Sequence, residues 1–171
     1  LYYRLLFTIT MCNDYLKQTT DERLNDRGVD DALRANIQYY RSETRFLRAL
    51  MYYHAMDMFG NTPFITENDP IGTYLPPQRS RAELYSFIES ELLELSDDPH
   101  MTEPRQNEYG RADKAAVWML LSRLYLNAEV YIQTPKYDEC MKYARNVISA
   151  GYDLCPNYAE LFMADNGENT D

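Results

Sequence analysis

The sequence is poor in the residues from which reactive centres are made. It has two histidines, His54 and His100, and neither stands in an HExxH arrangement. Its three cysteines, Cys12, Cys140 and Cys155, are an odd number without a CxxC pair, so they give neither a disulfide framework nor zinc-ligand spacing. The six glycines are too scattered to cradle a phosphate, and no serine lies in a GxSxG elbow. No run of roughly 18 apolar residues exists to cross a bilayer. A charged start followed by an apolar run, the mark of a signal peptide, is also missing. Basic residues are scarce: 17 Lys and Arg against 27 Asp and Glu leave a net charge of −10. That balance disfavours binding to a nucleic-acid backbone and electrostatic docking on anionic lipid.

What the chain does hold is enough for one domain with a real core. It has 171 residues, 45% of them hydrophobic and 26% charged, as in ordinary globular proteins. Tyrosine is abundant, 16 against 6 Phe and 1 Trp. Tyr combines a flat apolar face with a polar tip, which suits half-buried helix contacts and ligand platforms alike.

The periodicity predicts helices throughout. In residues 1–19, Leu5, Ile9, Cys12 and Leu16 form one face, with Tyr2, Leu6, Thr10 and Asn13 beside it. The polar stretch around Gly28 reads as a connection. Residues 32–59 read as one long helix or two abutting ones. One line there is Phe46, Leu50, Tyr53 and Asp57, the next Leu47, Met51, His54 and Met58, and Gly60 with Pro63 makes the stop. Four of the eight prolines then fall between Thr62 and Arg79, so that segment is a long extended loop. Ser80-Arg81-Ala82-Glu83 is a capping box that opens a helix with Leu84, Ile88, Leu92 and Leu95 on one face. Glu89, Glu91 and Glu94 lie mostly off that line and should be solvated, and residues 97–109 are loop again.

After Gly110 comes a helix with apolar or small residues on nearly every face, then a TPKY turn. A second helix follows, with Tyr137, Met141, Ala144 and Ile148 in line and Gly151 as its left-handed cap. This pair is similar to a tetratricopeptide hairpin, and residues 43–59 with 80–96 have the same layout with a longer joint. The expected fold is all-α: tetratricopeptide-like helix pairs with long Pro-rich loops, residues 1–171 forming a single helical domain.

Catalysis needs convergent groups of tuned pKa, and few candidates present themselves. His54 reads as a core histidine, and His100 as part of a solvated cluster with Asp97 and Asp98. Paired glutamates on an exposed helix face would not be pushed apart in pKa. Asp165-Asn166-Gly167-Glu168 is rich in oxygen but lacks calcium-loop spacing and reads as a turn. The residues alone point to a binding module that is not an enzyme, without cofactor or metal.

Five segments stand in a telling order. The first is Glu43, Phe46, Leu47, Arg48 and Ala49 running into Phe59, Gly60 and Pro63. The second is PPQRSRAELYSFIESELLEL. The third is Gly110, Arg111, Lys114, Ala115 and Ala116. NVISAGYDL and YAELFMADNGEN follow. Together with the opening helix, where Asn13 precedes Tyr15 and Leu16, they resemble the SusD/RagB family of Bacteroidetes lipoproteins. The resemblance implies a SusD-like α–α superhelix and a surface-exposed outer-membrane lipoprotein. Such a protein captures a glycan, or in some members a peptide, for a SusC-like TonB-dependent transporter. It also implies a longer protein, of which this is an N-terminal or central helical fragment. Cys12, inside a helix, is not the lipid-bearing cysteine of such proteins. Aromatic stacking on sugar rings is the mode the family implies, and the loop residues Tyr74 and Tyr109, then Tyr2 and Tyr3, are the local candidates. Ala49 and Ala116 are expected to let helices approach closely, and Arg48 and Arg111 to satisfy carbonyls or carboxylates at helix ends. A tetratricopeptide-type adaptor that grips peptide segments is the alternative reading of the same helix pairs.

Overall fold

The computed structural model describes residues 1–70, 72 and 74–166. In order these form α1 (Tyr2–Gln18), α2 (Asp21–Asp26), α3 (Asp31–Phe59), β1 (Thr62–Pro63), β2 (Gln78–Arg79), α4 (Arg81–Asp97), α5 (Lys114–Leu126), α6 (Ala128–Ile132) and α7 (Tyr137–Ser149). A short 3₁₀ turn, Tyr158–Phe162, follows. The all-α expectation holds, and the helices stack in chain order: α1 on α3, α3 on α4, α4 on α5, α5 on α7. Neighbours run antiparallel. Tyr2 at the start of α1 meets Phe59 at the end of α3, while Arg41 near the other end of α3 donates to the Leu16 carbonyl at 2.8 Å.

The core forms where the stripes meet. Leu5, Ile9, Cys12 and Leu16 are all buried, as are Leu84, Ile88, Leu92 and Leu95. The capping box at Ser80 closes in both directions, with Ser80 Oγ accepting from Glu83 N and Glu83 accepting from Ser80 N. Gly60 and Gly151, at φ +74° and +81°, make the left-handed exits that a side chain would strain. Six tyrosines, Tyr52, Tyr53, Tyr85, Tyr125, Tyr131 and Tyr143, pack in the interior. Tyr125 and Tyr143 stack across the α5–α7 pair at 5.8 Å.

Several expectations need correction. The polar stretch after α1 is not plain connection: Thr20 caps α2, whose Leu24 is buried. The Pro-rich segment begins and ends in a small antiparallel pair, Thr62 opposite Arg79 and Pro63 opposite Gln78. On α3 the buried line is Phe46, Ala49, Tyr52, Tyr53 and Met56, whereas Leu47 and Met58 stand exposed. The helix after Gly110 breaks at Asn127, so α6 is separate. On α7 the face towards α5 carries Tyr143, Cys140 and Ala144, and Tyr137, Met141 and Ile148 point outward. The cause is shared: periodicity finds an apolar line, and the neighbours choose which line is used. The glutamates differ as well. Glu89 accepts from Lys136 at 2.6 Å, and Glu91 is only 13% exposed. Nor is the His100 cluster merely solvated, because Asp98 accepts from Ser42 Oγ at 2.6 Å and from the His100 amide at 2.8 Å.

Candidate functional site

The Pro-rich loop between β1 and β2 is held at named points. Phe64 N donates to the Pro77 carbonyl at 3.2 Å and narrows its neck. Above the neck, the buried Tyr52 of α3 donates its hydroxyl to Ile65 O at 2.7 Å and accepts from Ile65 N at 2.9 Å. Burial pushes that hydroxyl up to about 12, so it stays a donor at any working pH. Asn13 of α1 donates to the same Ile65 carbonyl at 3.0 Å. Thr66 and Asp69 then form a turn, Asp69 Oδ2 accepting from Thr66 N at 2.7 Å and from Thr66 Oγ1 at 3.1 Å.

Arg48 is the second fastening. It is 3% exposed and reaches three partners at once: Asn13 Oδ1 at 2.9 Å, Glu67 of the loop, and Glu91 of α4 at 3.0 Å. Glu91 in turn holds Arg45, which also reaches Glu94. Burial lowers the readiness of Arg48 to carry charge, but Glu91 and Glu67 outweigh it and raise its pKa. Burial likewise raises the Glu67 carboxyl, yet Arg48 brings it below the usual carboxylate range. Arg48 therefore does bind carboxylates, but from the middle of a helix rather than its end, and it ties a loop down. Its Nε finds no acceptor among the described residues.

Between this loop and the second half of α1 lies a cavity of about 400 Å³, lined by Met11, Asp14, Lys17, Ile65, Glu67 and Tyr74 among others. Lys17 Nζ reaches the Asp69 carbonyl at 3.4 Å across its floor. The lining joins one phenol ring and the apolar side chains of Met11, Ile65, Pro70 and Pro76 to polar groups. Of these, Glu67, Asp69 and Lys17 are already engaged in holding the loop, an arrangement that suits binding.

The second signature arginine performs the same task elsewhere. Arg111 forks onto Glu43 of α3, Nε at 3.2 Å from one oxygen and an amino group on the other. Asn107 Nδ2 adds a bond to Glu43 at 3.2 Å. The loop of residues 103–112 is thereby bound to the same helix as the Pro-rich loop.

The four tyrosines proposed from the sequence do not converge. Tyr74 lines the cavity. Tyr109 stands 75% exposed in the loop before Arg111, away from that lining. Tyr2 and Tyr3 sit edge-to-face at 5.8 Å at the far end of α1, where Tyr2 also packs on Phe59. His54 is half-buried, its ring against Tyr53. All three cysteines are free. No group of three His, Cys, Asp or Glu among the described residues could hold a metal ion. Of the acidic run near the end, Gly167 and Glu168 lie outside the described residues. Asn13 and Glu67, which brace the site, were not singled out for it. Asn13 gave the better signal, as a polar residue bordering an apolar stripe.

No family model matches this chain. Over 168 residues it is 46% identical to the starch-binding protein SusD of Bacteroides thetaiotaomicron, covering 98% of this chain and 28% of that one. A laminarin-binding SusD-like protein of known structure is 25% identical, with a TM-score of 0.66 over 82% of this chain and 30% of its own. A structure with xylogluco-oligosaccharide reaches a TM-score of 0.79 at 23% identity, over 98% of this chain and 33% of the other, and carries the likeness of fold alone. The chain thus spans 28% of the length of the first of these relatives. Sequence along almost its full length and the stacked helix pairs agree: over 168 residues the chain is similar to SusD-like proteins.

Proposed function

We propose that this chain is the helical scaffold of a cell-surface protein that captures glycan and passes it to a partner TonB-dependent transporter of the outer membrane. The observation that carries this reading is the 46% identity, over 168 residues, to a protein named for binding starch. The role is one of binding rather than catalysis, and no cofactor enters it. Residues 1–171 act in it as one helical domain of a longer protein, a view supported by the 28% share of that relative's length. Attachment to the outer membrane by a lipid, outside these residues, belongs to the same proposal.

Tyr74 is the foremost ligand contact, because its ring borders a cavity whose walls are fastened by Arg48 and Tyr52. Tyr109, Tyr2 and Tyr3 are further stacking surfaces on a ligand long enough to reach them. A sugar ring offers a C–H face that an exposed phenol can cover while its hydroxyls stay wet.

Affinity electrophoresis of the full-length protein through gels containing starch, laminarin or xyloglucan tests the proposal. Retardation by at least one polysaccharide is expected, with starch first. Migration unchanged in every gel, together with binding to peptides, would overturn it in favour of a peptide-gripping adaptor.

A further inference from the structure

The single tryptophan has no part in the site described above. Trp118 lies half-buried on α5, and its indole Nε1 donates to Ser96 Oγ of α4 at 2.9 Å, which fixes the plane of the ring. Beside it opens a groove of about 560 Å³, lined by Glu103, Pro104, Gln106, Trp118, Asn146 and Ser149, with Ala150 at its end. That volume lies within the range of small-ligand clefts, roughly 300–1,000 Å³. None of these residues lines the cavity at the Pro-rich loop.

One wall of the groove is set by a strained residue. Arg105, between Pro104 and Gln106, adopts φ +62°, a left-handed conformation uncommon outside glycine. Several contacts hold it there. Its amide donates to Asp113 Oδ2 at 2.9 Å, and its guanidinium donates to the Gly151 carbonyl beyond α7. The guanidinium also lies over the Tyr152 ring at 5.8 Å, and the Tyr152 hydroxyl donates to the same Asp113 oxygen at 2.6 Å. Such conformations persist where the surroundings over-determine them, and they gather at ligand sites. Pro104 and Gln106 are therefore held in place opposite Trp118.

The chemistry of the lining is specific. It offers an aromatic ring, two side-chain amides and a hydroxyl. Among the described residues no hydrogen bond engages the side chains of Gln106, Asn146 or Ser149. Glu103, the one charged group in the lining, is paired with Lys114 Nζ. The groove thus presents uncommitted neutral donors and acceptors around an indole, with no unpaired charge to attract an ion. A neutral polyhydroxylated ring matches that set, its C–H face on the indole and its hydroxyls on the amides.

We propose that the Trp118 groove is a second glycan-binding site, for a neutral hexose oligosaccharide, separate from the Tyr74 cavity. The proposal rests on the glycan-capturing reading given above.

Trp118 is the sole tryptophan of these 171 residues, so in the full-length protein Trp118→Phe subtracts the emission of this groove. Titrating the full-length protein with maltoheptaose and with laminarihexaose should give a saturable emission change that the Trp118→Phe protein lacks. Asn146→Ala and Gln106→Ala, both surface changes, should weaken it roughly tenfold, the scale of one hydrogen-bonded contact. Their circular dichroism and melting should stay unchanged. Flat emission up to millimolar sugar overturns the site, and so does a change that both variants retain in full. Polysaccharide gels run on the full-length protein keep the two proposals apart. Retardation with silent Trp118 leaves glycan capture standing and removes this groove. Saturable emission without retardation in any gel does the reverse.

Discussion

The Tyr52 hydroxyl pairs with both backbone groups of Ile65, donating to its carbonyl at 2.7 Å and accepting from its amide at 2.9 Å. One side chain thus takes the place of a neighbouring strand for a residue that no sheet reaches. Tyr52→Phe leaves Ile65 N–H without that partner and removes one of two donors to its carbonyl. The expected loss is about 1–3 kcal/mol of stability, the cost of stranding a shielded polar group. Urea unfolding measures it, and amide exchange at Ile65 should quicken in the same variant. Exchange at the native rate would show that the phenol does not hold the loop.

Arg48→Ala should do more harm. It removes the arginine partner of Glu67 and one of the two arginine partners of Glu91, carboxylates whose side chains are 28% and 13% exposed. Breaking a buried pair from one side costs roughly 3–5 kcal/mol, because the charge left behind has little water. Arg45→Ala should cost clearly less, since Glu91 keeps Arg48 and Glu94 is largely solvated. Equal losses in the two variants would contradict this arrangement.

Acid should loosen the same contacts. Burial raises the Glu67 and Asp98 carboxyls, but Arg48 in one case and the Ser42 hydroxyl with the His100 amide in the other bring both below their ordinary values. Groups whose pKa is depressed on folding add stability that is fully present above the unfolded value, about 4, and lost as pH falls through the folded one. Melting temperature should accordingly stay level near neutrality and drop below about pH 4. Glu67→Gln should flatten part of that drop, and an unaltered acid limb in this variant would count against the assignment.

At the start of α4, Ser80→Ala removes the side-chain acceptor for the Glu83 amide. Loss of such a cap costs about 1 kcal/mol, and chemical denaturation would register it. A variant as stable as the parent would mean that water serves the helix end equally well.

Much of the frame was legible because it follows from local rules. Ser80 and Glu83, three residues apart, fix a helix start without reference to anything distant. Gly60 and Gly151 end helices because they alone enter the left-handed region cheaply there. The stripes of α1 and α4 are legible because their aliphatic residues recur at strict helical spacing, Leu5 to Leu16 and Leu84 to Leu95, and both lines are buried. On α3 and α7 the packed neighbours decide which line is buried, so Tyr52 is not legible, and of the line Tyr137, Met141, Ala144 and Ile148 three members stand exposed. Glu91 was placed in solvent because its partner Arg48 lies 43 residues away, a distance no periodicity reveals. The site fared similarly. Tyr74 could be singled out as an aromatic in a loop, whereas Trp118 on a helix gains meaning only from Ser96 and the turn at Arg105.

Both signature arginine ties end on α3, one through Arg48 and the other through Glu43. At 29 residues this helix is about 44 Å long, and it serves both loops as a common datum. The apex of either loop can then be rewritten by mutation, insertion or exchange without disturbing the bearing of the other. A lineage confronted with a new polymer could retune what it grasps by editing those tips alone, while the beam beneath them stays as it was.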